Sequence, residues 1–478
     1  MKSTLLLAVV VLFFAGCSPD APDKRKNDGS VSVTLYADVV KRIVPRELIG
    51  FNMSYYHDTD ARWADGAVAE KLKSINTGVL RYPGGAETNY YHWQYPGRTG
   101  YRDALNPSHT SNPETYRNRG TYMDTDLFVE WCRVIGAEPL LGINLKSGVV
   151  RGKESDALQE AVDWVNYCKG KGYNIKYWYL DNELDQNEYT AINITKYASM
   201  IKEYSEAMKA VDPSIKIIVN PIGGAHESKF RTLINSVGNY FDIIDIHYYY
   251  DWDVANWERW LSQKSMINMY SGQTYAADIN GLAAYIKASA HPHIKIASLE
   301  WNIAPTKAGA LSTYQQAMMQ AEMFQQYITA DVQMAAIWPL IWNVDAGTFP
   351  SILDQKKVLG ATPVYETTPV YEVFKLYSDA MGGNLVHTYF SDTRLMGVGI
   401  TGADKAWAFI INKTGTDIAL KAAVRNGGVF SSAKFSIMTS EDRSKNDCVV
   451  IEKNAPVHDN TLEIVFPAYT FGRVEFIK

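Results

Sequence analysis

From residue 46 onward the chain repeats one pattern, a short apolar run followed by a longer stretch with helical spacing. Eight such runs are present, at 47–54, 78–85, 138–144, 175–183, 215–223, 243–249, 294–302 and 335–342. Runs that are apolar on both faces suit strands covered on both sides, as in parallel sheets flanked by helices. Eight strands alternating with helices predict a (β/α)8 TIM barrel, an α/β fold. The clearest helix spans 194–211, where Ile194, Tyr197, Met200, Ile201, Tyr204, Met208 and Val211 recur at three- and four-residue steps before Asp212-Pro213 stops them. Leu127, Phe128, Trp131, Val134 and Ile135 predict a second apolar stripe. Leu158, Ala161, Val162, Val165 and Cys168 predict a third, ended by Gly170.

The pattern differs on either side of the barrel. Residues 31–36 alternate apolar and polar, which marks a half-exposed strand. After a last helix expected at 370–380 and the Met381-Gly382-Gly383 break, short strand-like pieces follow at 398–400, 406–412, 434–438, 461–466 and 472–477. The expected organisation is an N-terminal strand at 31–45, a catalytic barrel at 46–382 and a C-terminal all-β sandwich domain at 383–478 that also takes the N-terminal strand. Residues 1–16 read as a lipoprotein signal peptide. Lys2 precedes an apolar segment too short to span a bilayer, and Phe14-Ala15-Gly16-Cys17 has the form of a lipobox. Cys17 is then the lipidated residue, 17–30 a polar tether, and the protein an exported, membrane-anchored bacterial lipoprotein.

A hydrophobic fraction of 46% and a charged fraction of 21% allow a sizeable core. A net charge of -5 without a long basic run excludes a nucleic-acid partner and argues against a polyanionic substrate. The 31 Tyr and 12 Trp are the unusual feature. Most are core filler, but flat rings with polar tips also suit sugar faces. Cys132, Cys168 and Cys448 have neither CxxC nor Cys/His spacing, so they are read as buried small hydrophobes, and no metal or cofactor is expected. Nothing in the sequence fixes an oligomeric state.

The candidate chemistry lies at the ends of the fourth and seventh runs, where Glu183 and Glu300 follow apolar strands and meet at the C-terminal face of a barrel. A retaining glycosidase needs two carboxylates about 5–5.5 Å apart, one to attack the anomeric carbon and one to protonate the leaving oxygen and later deprotonate water. The bland alternative is a pair of surface carboxylates. Other strand-end groups share the expected rim: Arg81 with Tyr82-Pro83-Gly84-Gly85, Asn144, His247 with Tyr248 and Tyr249, Trp338, and Trp342 with Asn343. Arg81 suits an ion pair with a catalytic carboxylate or an ordinary structural one. His247 alone is more often a satisfied core histidine, and Pro83-Gly84-Gly85 is also what a plain turn looks like.

The ordered series adds to this reading. Arg-Tyr-Pro-Gly-Gly at 81–85, Glu-Trp-Cys-Arg-Val-Ile-Gly-Ala-Glu-Pro at 130–139, Glu-Ala-Val-Asp-Trp-Val-Asn-Tyr-Cys at 160–168, Asn182-Glu183, Asp-Pro-Ser-Ile at 212–215, His247-Tyr248-Tyr249 and Glu300-Trp301-Asn302 follow one another through most of the barrel. The series resembles the clan A glycoside hydrolases, and most of all family 51, the α-L-arabinofuranosidases. The resemblance implies Glu183 as acid/base, Glu300 as nucleophile and Asn182 as partner of the sugar hydroxyl beside the reacting carbon. His247 and Tyr249 would hold the nucleophile and the sugar, with Arg81, Asn144 and Trp342 as further substrate-binding candidates.

The departures from the family fall on sugar recognition. Ser54 stands where the family has a glutamate, Ala86 where it usually has Asn or Cys, and Asp181 where it has Gly, and no position is assigned to its late glutamine. Lost donors and acceptors change which hydroxyls are read. The leading expectation is thus a retaining α-L-arabinofuranosidase acting on plant or algal polysaccharides or oligosaccharides. An endo-acting or pyranose-specific clan A enzyme of glucanase, xylanase, galactanase or agarase type is the alternative. A non-catalytic surface glycan-binding lipoprotein is the rival of another class.

Overall fold

The structure is a computed structural model and describes residues 31–54, 66–94, 100–102, 123–185, 192–252, 254–304, 311–342, 349–356 and 364–478. Cys17, the expected signal peptide and tether, and Asn343 lie outside the described residues.

All eight expected barrel strands are present. After β1 (Val31–Ile43) come β2 (Gly50–Asn52), β3 (Val79–Tyr82), β4 (Glu138–Ile143), β5 (Tyr177–Leu180), β6 (Lys216–Val219), β7 (Ile243–Tyr250), β8 (Lys295–Ile303) and β9 (Met334–Ile337). They pair in parallel, each with the next, and β9 closes on β2 through Ile337 and Phe51. Inward side chains fill the barrel, among them Val79, Leu140, Tyr177, Tyr179, Ile218 and Leu299, so it is a packed core with its working surface at one mouth.

Strand ends are shorter than the apolar runs. The fourth stops at Leu180, and Asp181 to Glu183 lie just past it, Asp181 and Glu183 having positive φ of 64° and 49°. The eighth stops at Ile337. Ile341–Trp342 instead starts a separate three-stranded sheet with Leu353–Lys356 and Val364–Thr367, which corrects the expectation that Trp342 ends a barrel strand. The apolar run is continuous across this break, and hydrophobicity alone does not mark where one sheet gives way to another.

The helix Ile194–Val211 forms over the expected span, capped by the Asn193 side chain on Lys196 N–H. In the helix Thr125–Ile135 the buried stripe is Phe128, Trp131, Cys132 and Ile135, while Leu127 and Val134 are exposed. The two exposed residues lie seven apart and one position off a true three- and four-residue stripe, which corrects their assignment to the core.

The β module is one nine-stranded sheet. After β10 (Asn384–Phe390), β11 (Leu395–Thr401), β12 (Lys405–Asn412), β13 (Ile418–Arg425), β14 (Ser432–Thr439), β15 (Val449–Pro456), β16 (Thr461–Phe466) and β17 (Thr470–Ile477), the order is β15-β14-β17-β12-β11-β10-β1-β13-β16. The first strand of the chain sits inside it, antiparallel to β10 and parallel to β13. One cluster joins Leu420 and Leu462 from one end to Ile410, Val474 and Phe476 from the other, so the sheet folds over its own core as a sandwich does. Alternate residues face the other way. Phe409 and Phe471 turn toward the barrel and meet the ring of Tyr377 at 4.4 and 5.1 Å between centroids. Tyr377 belongs to the last barrel helix, Pro369–Ser378, and this contact carries the join.

Candidate active site

Three alternate residues of β7, Asp245, His247 and Tyr249, form the polar edge of the site. Residues two apart on a strand share a face, so all three project to the barrel interior near its mouth. Beside them, the paired strand β8 carries a bulge. Ala297 pairs with Asp245 but Glu300 pairs with His247, one residue more on β8 than on β7, and the same extra residue appears against β9. A bulge leaves backbone groups unpaired and re-aims the following side chain. Here the Leu299 N–H donates to Asp245 Oδ1 at 2.7 Å, and the Leu299 carbonyl accepts from Asn52 Nδ2 at 2.7 Å. Both groups are thus satisfied by side chains inside the barrel, and Glu300 points into the mouth.

Glu300 receives Tyr249 OH on Oε1 at 2.5 Å and Arg81 Nη1 on Oε2 at 3.3 Å, with His247 Nδ1 at 3.9 Å. Glu183 receives His247 Nδ1 at 2.7 Å, and Asn220 Oδ1 accepts from its backbone N–H at 2.8 Å. An oxygen of each glutamate and a ring nitrogen of His247 lie within 4.8 Å of one another. The Glu183 and Glu300 side chains are 16% and 12% exposed, open enough for a ligand to touch both.

Arg81 is wholly buried and holds four groups at once. Besides Glu300, it donates to Asn182 Oδ1 at 2.7 Å and Asn52 Oδ1 at 2.9 Å, and its guanidinium lies 4.4 Å above the Tyr179 ring. That ring has room because residue 142 is glycine: a Cβ there would sit 2.1 Å from it. Asp181 accepts from Leu145 N–H and Lys146 N–H, each at 2.7 Å, from Asn182 N–H at 2.8 Å and from Asn89 Nδ2 at 2.5 Å. The loop carrying Asn182 and Glu183 is therefore pinned from three sides. Burial raises the Asp181 carboxyl to about 6 against the backbone donors of Asn182, Lys146 and Leu145 and the charge of Lys146.

Burial favours the neutral form of His247, but Asp245, Glu300 and Glu183 outweigh it and raise the imidazole to about 10. The ring is then a cation that donates from Nε2 toward Asp245 at 3.2 Å and from Nδ1 to Glu183. Burial also raises the Glu300 carboxyl, and the charge of Glu183 adds to this, while His247, Arg81 and Tyr249 pull it down. Glu183, His247 and Glu300 have the spacing of a cation site. The Arg81 guanidinium and the His247 cation inside the cluster oppose a metal there.

Of the sequence-expected residues, the structure brings Glu183, Glu300, Asn182, Arg81, His247 and Tyr249 into one cluster. Asn144 turns away: its Nδ2 donates to the Tyr91 carbonyl and Ser147 Oγ, and its Oδ1 accepts from Ser147 N–H. Trp342 sits 6.4 Å from Trp338, ring to ring, in the small sheet. Asn52, Tyr179, Asn220 and Asp245 were not singled out from the sequence. Only Asp245 had a legible signal, the period-two series Asp245, His247, Tyr249 within an apolar run.

Residues 71–268 match the family described as an alpha-L-arabinofuranosidase 1 domain. Over that stretch, which is under half of the chain, the sequence is similar to this family. A probable alpha-L-arabinofuranosidase C of Aspergillus fumigatus is 33% identical over 188 residues, which cover 35% of this chain and 34% of that protein. The match thus spans about a third of that relative's length. An intracellular exo-alpha-(1->5)-L-arabinofuranosidase of Halalkalibacterium halodurans is 26% identical over 312 residues, 59% of this chain and 57% of that protein. The fold of an alpha-L-arabinofuranosidase from Thermotoga maritima, solved as an arabinose complex, superposes with a TM-score of 0.75 at 20% identity, covering 94% of this chain and 100% of that one. The matched segment at 71–268 includes Arg81, Asn182, Glu183, His247 and Tyr249, whereas Glu300 lies beyond it.

Proposed function

We propose that the protein is a retaining glycoside hydrolase that removes α-L-arabinofuranosyl groups from plant polysaccharides or their fragments. The observation that carries this is the pair Glu183 and Glu300, oxygens within 4.8 Å, with unequal surroundings. A separation of this order fits the short carboxyl spacing of a retaining pair, below the roughly 6.5–9.5 Å at which a water attacks beside the sugar, and suits direct attack by one of them.

The surroundings divide the roles. Two donors converge on Glu300, from Tyr249 and Arg81, and with the His247 ring 3.9 Å away they stabilise its ionised form as nucleophile. The Glu183 side chain has the single His247 contact and serves as the acid/base. In the first step Glu300 attacks the anomeric carbon while Glu183 gives its proton to the leaving oxygen. In the second, Glu183 takes a proton from water, which attacks the same carbon and releases Glu300. The carbonyl of Asn182 is held by Arg81, which aims the amide NH2 at the sugar hydroxyl beside the reacting carbon.

The reading is tested with a panel of 4-nitrophenyl glycosides and polysaccharides. Release of nitrophenol from the α-L-arabinofuranoside well above all pyranosides supports it. Preferential cleavage of polymers into long fragments, or binding without turnover of any glycoside, contradicts it. We also propose export and lipid anchoring at Cys17, supported by the signal-like residues 1–16. Palmitate labelling that survives Cys17→Ser would contradict this.

A further inference from the structure

A cleft of about 670 Å³ opens from the two glutamates. Its walls come from the loops after β6 and β7: Gly223 and Gly224, Glu227 and Lys229, Trp252, and Tyr270. Asn52, Arg81 and Asn182, which are hydrogen-bonded together behind Glu300, are not among its lining residues. The cleft touches both glutamates, and its wall at 222–229 follows directly on Asn220, which holds the Glu183 backbone, so it offers room beside the group that gives up the proton. Two aromatics at its edge are turned to solvent, Trp252 at 43% and Tyr270 at 67% exposure. Such rings are costly to leave in water unless something covers them. Trp252 is held edge-on to Tyr249 with the centroids 5.1 Å apart, which ties it to the nucleophile's hydrogen-bond partner.

The charges of the cleft are already committed. Lys229 pairs with Asp185 at 3.0 Å and with Glu227 at 3.3 Å, and His247 lies between Asp245 and the two glutamates. Among the described residues these cations are outnumbered by the carboxylates around them. An incoming carboxylate would meet like charge and an already paired lysine.

We propose that this cleft is a leaving-group subsite for an uncharged sugar ring, with Tyr270 and Trp252 as its stacking surface and a negative lining that rejects acidic sugars. The proposal rests on the glycosidase reading above and adds the class of the leaving group. An apolar ring face covers the hydrophobic face of a pyranose and leaves its hydroxyls to water and to the cleft rim.

The experiment compares kcat/KM for 4-nitrophenyl α-L-arabinofuranoside with kcat/KM for α-L-arabinofuranosyl disaccharides of xylose and of galacturonic acid. In the wild type the xylose disaccharide is cleaved at least about tenfold faster than its galacturonic acid counterpart; equal rates overturn the charge argument. Tyr270→Ala lowers the ratio of xylose disaccharide to nitrophenyl substrate by about tenfold, and Tyr270→Phe keeps it. An unchanged ratio in Tyr270→Ala, or an equal loss in Tyr270→Phe, overturns the stacking role. A wild type that cleaves no arabinofuranoside overturns the parent reading instead, so the two failures are distinct.

Discussion

The backbone N–H of Leu299 donates to Asp245 Oδ1 at 2.7 Å, and this bond closes the bulge that turns Glu300 into the barrel mouth. The other oxygen of Asp245 accepts from Asn220 Nδ2 at 2.5 Å and faces His247 Nε2 at 3.2 Å. One buried carboxylate thus sets both the backbone under one glutamate and the charge of the imidazole beside the other. In Asp245→Asn the amide oxygen still accepts from Leu299, but the counter-charge of His247 is lost. The variant is expected to fold with kcat reduced by about 10²-fold, a loss of the order seen when one preorganised partner is removed. Wild-type kcat in this variant would contradict the role given to Asp245.

The same carboxylate predicts a pH dependence of stability. The His247 imidazole is raised to about 10 in the folded chain against about 6.5 when unfolded. Its contribution is fully present below the unfolded value and is lost as pH rises through the folded one, so the window is about 6.5 to 10. Urea midpoints across that range should fall in the wild type. The part of the fall due to His247 should move to lower pH in Asp245→Asn. Parallel curves for the two proteins would show that Asp245 does not hold the charge.

Arg81 is the third element. Removing one partner of a buried ion pair leaves an uncompensated charge, at a cost of about 3–5 kcal/mol. Arg81→Met therefore lowers both the urea midpoint and kcat/KM. Arg81→Lys cannot reach Glu300, Asn182 and Asn52 together, because a single ammonium has no planar fork. Its activity should stay well below wild type even where its stability partly returns. Full activity in Arg81→Lys would reduce Arg81 to a structural ion pair.

Asp181 stands at positive φ, wholly buried, at the point where the resemblance leads one to expect glycine. Asp181→Asn places an amide nitrogen against N–H donors and orphans at least one of them, at about 1–3 kcal/mol. Circular dichroism and urea unfolding should show a folded but less stable protein with lower kcat, because Asn182 and Glu183 lose their anchor. Unchanged kcat with unchanged midpoint would mean that the loop is held by other contacts.

Much of this was legible before any coordinates. The eight apolar runs located eight strands, and strand-end polarity located Glu183, Glu300, Arg81 and His247, because a closed barrel delivers every strand end to one face. Three β strands of the C-terminal module were not legible. Ile418–Arg425 is rich in alanine and reads as helix, Val449–Pro456 is an exposed edge strand with little alternation in burial, and Asn384–Phe390 is broken in register against β1. The β8 bulge was invisible as well, since one extra residue in a strand leaves no mark on hydrophobic spacing. Asn52 and Asn220 act through partners distant in sequence, and a lone asparagine at a strand end has no pattern to read. Asn144 shares the same strand-end position and is spent on local bonds, so position alone did not separate binding from structure.

The central claim is that Glu300 attacks the sugar and Glu183 moves the proton. Glu183→Gln incubated with an aryl α-L-arabinofuranoside bearing a good leaving group tests it most directly, because the first step then needs little acid and the second lacks its base. Peptide mass spectrometry after acid quenching should find one pentosyl group on Glu300, accompanied by a burst of released phenol equal to the enzyme present. A burst with the adduct on another residue, or turnover whose first product has the inverted anomeric configuration, would contradict the account.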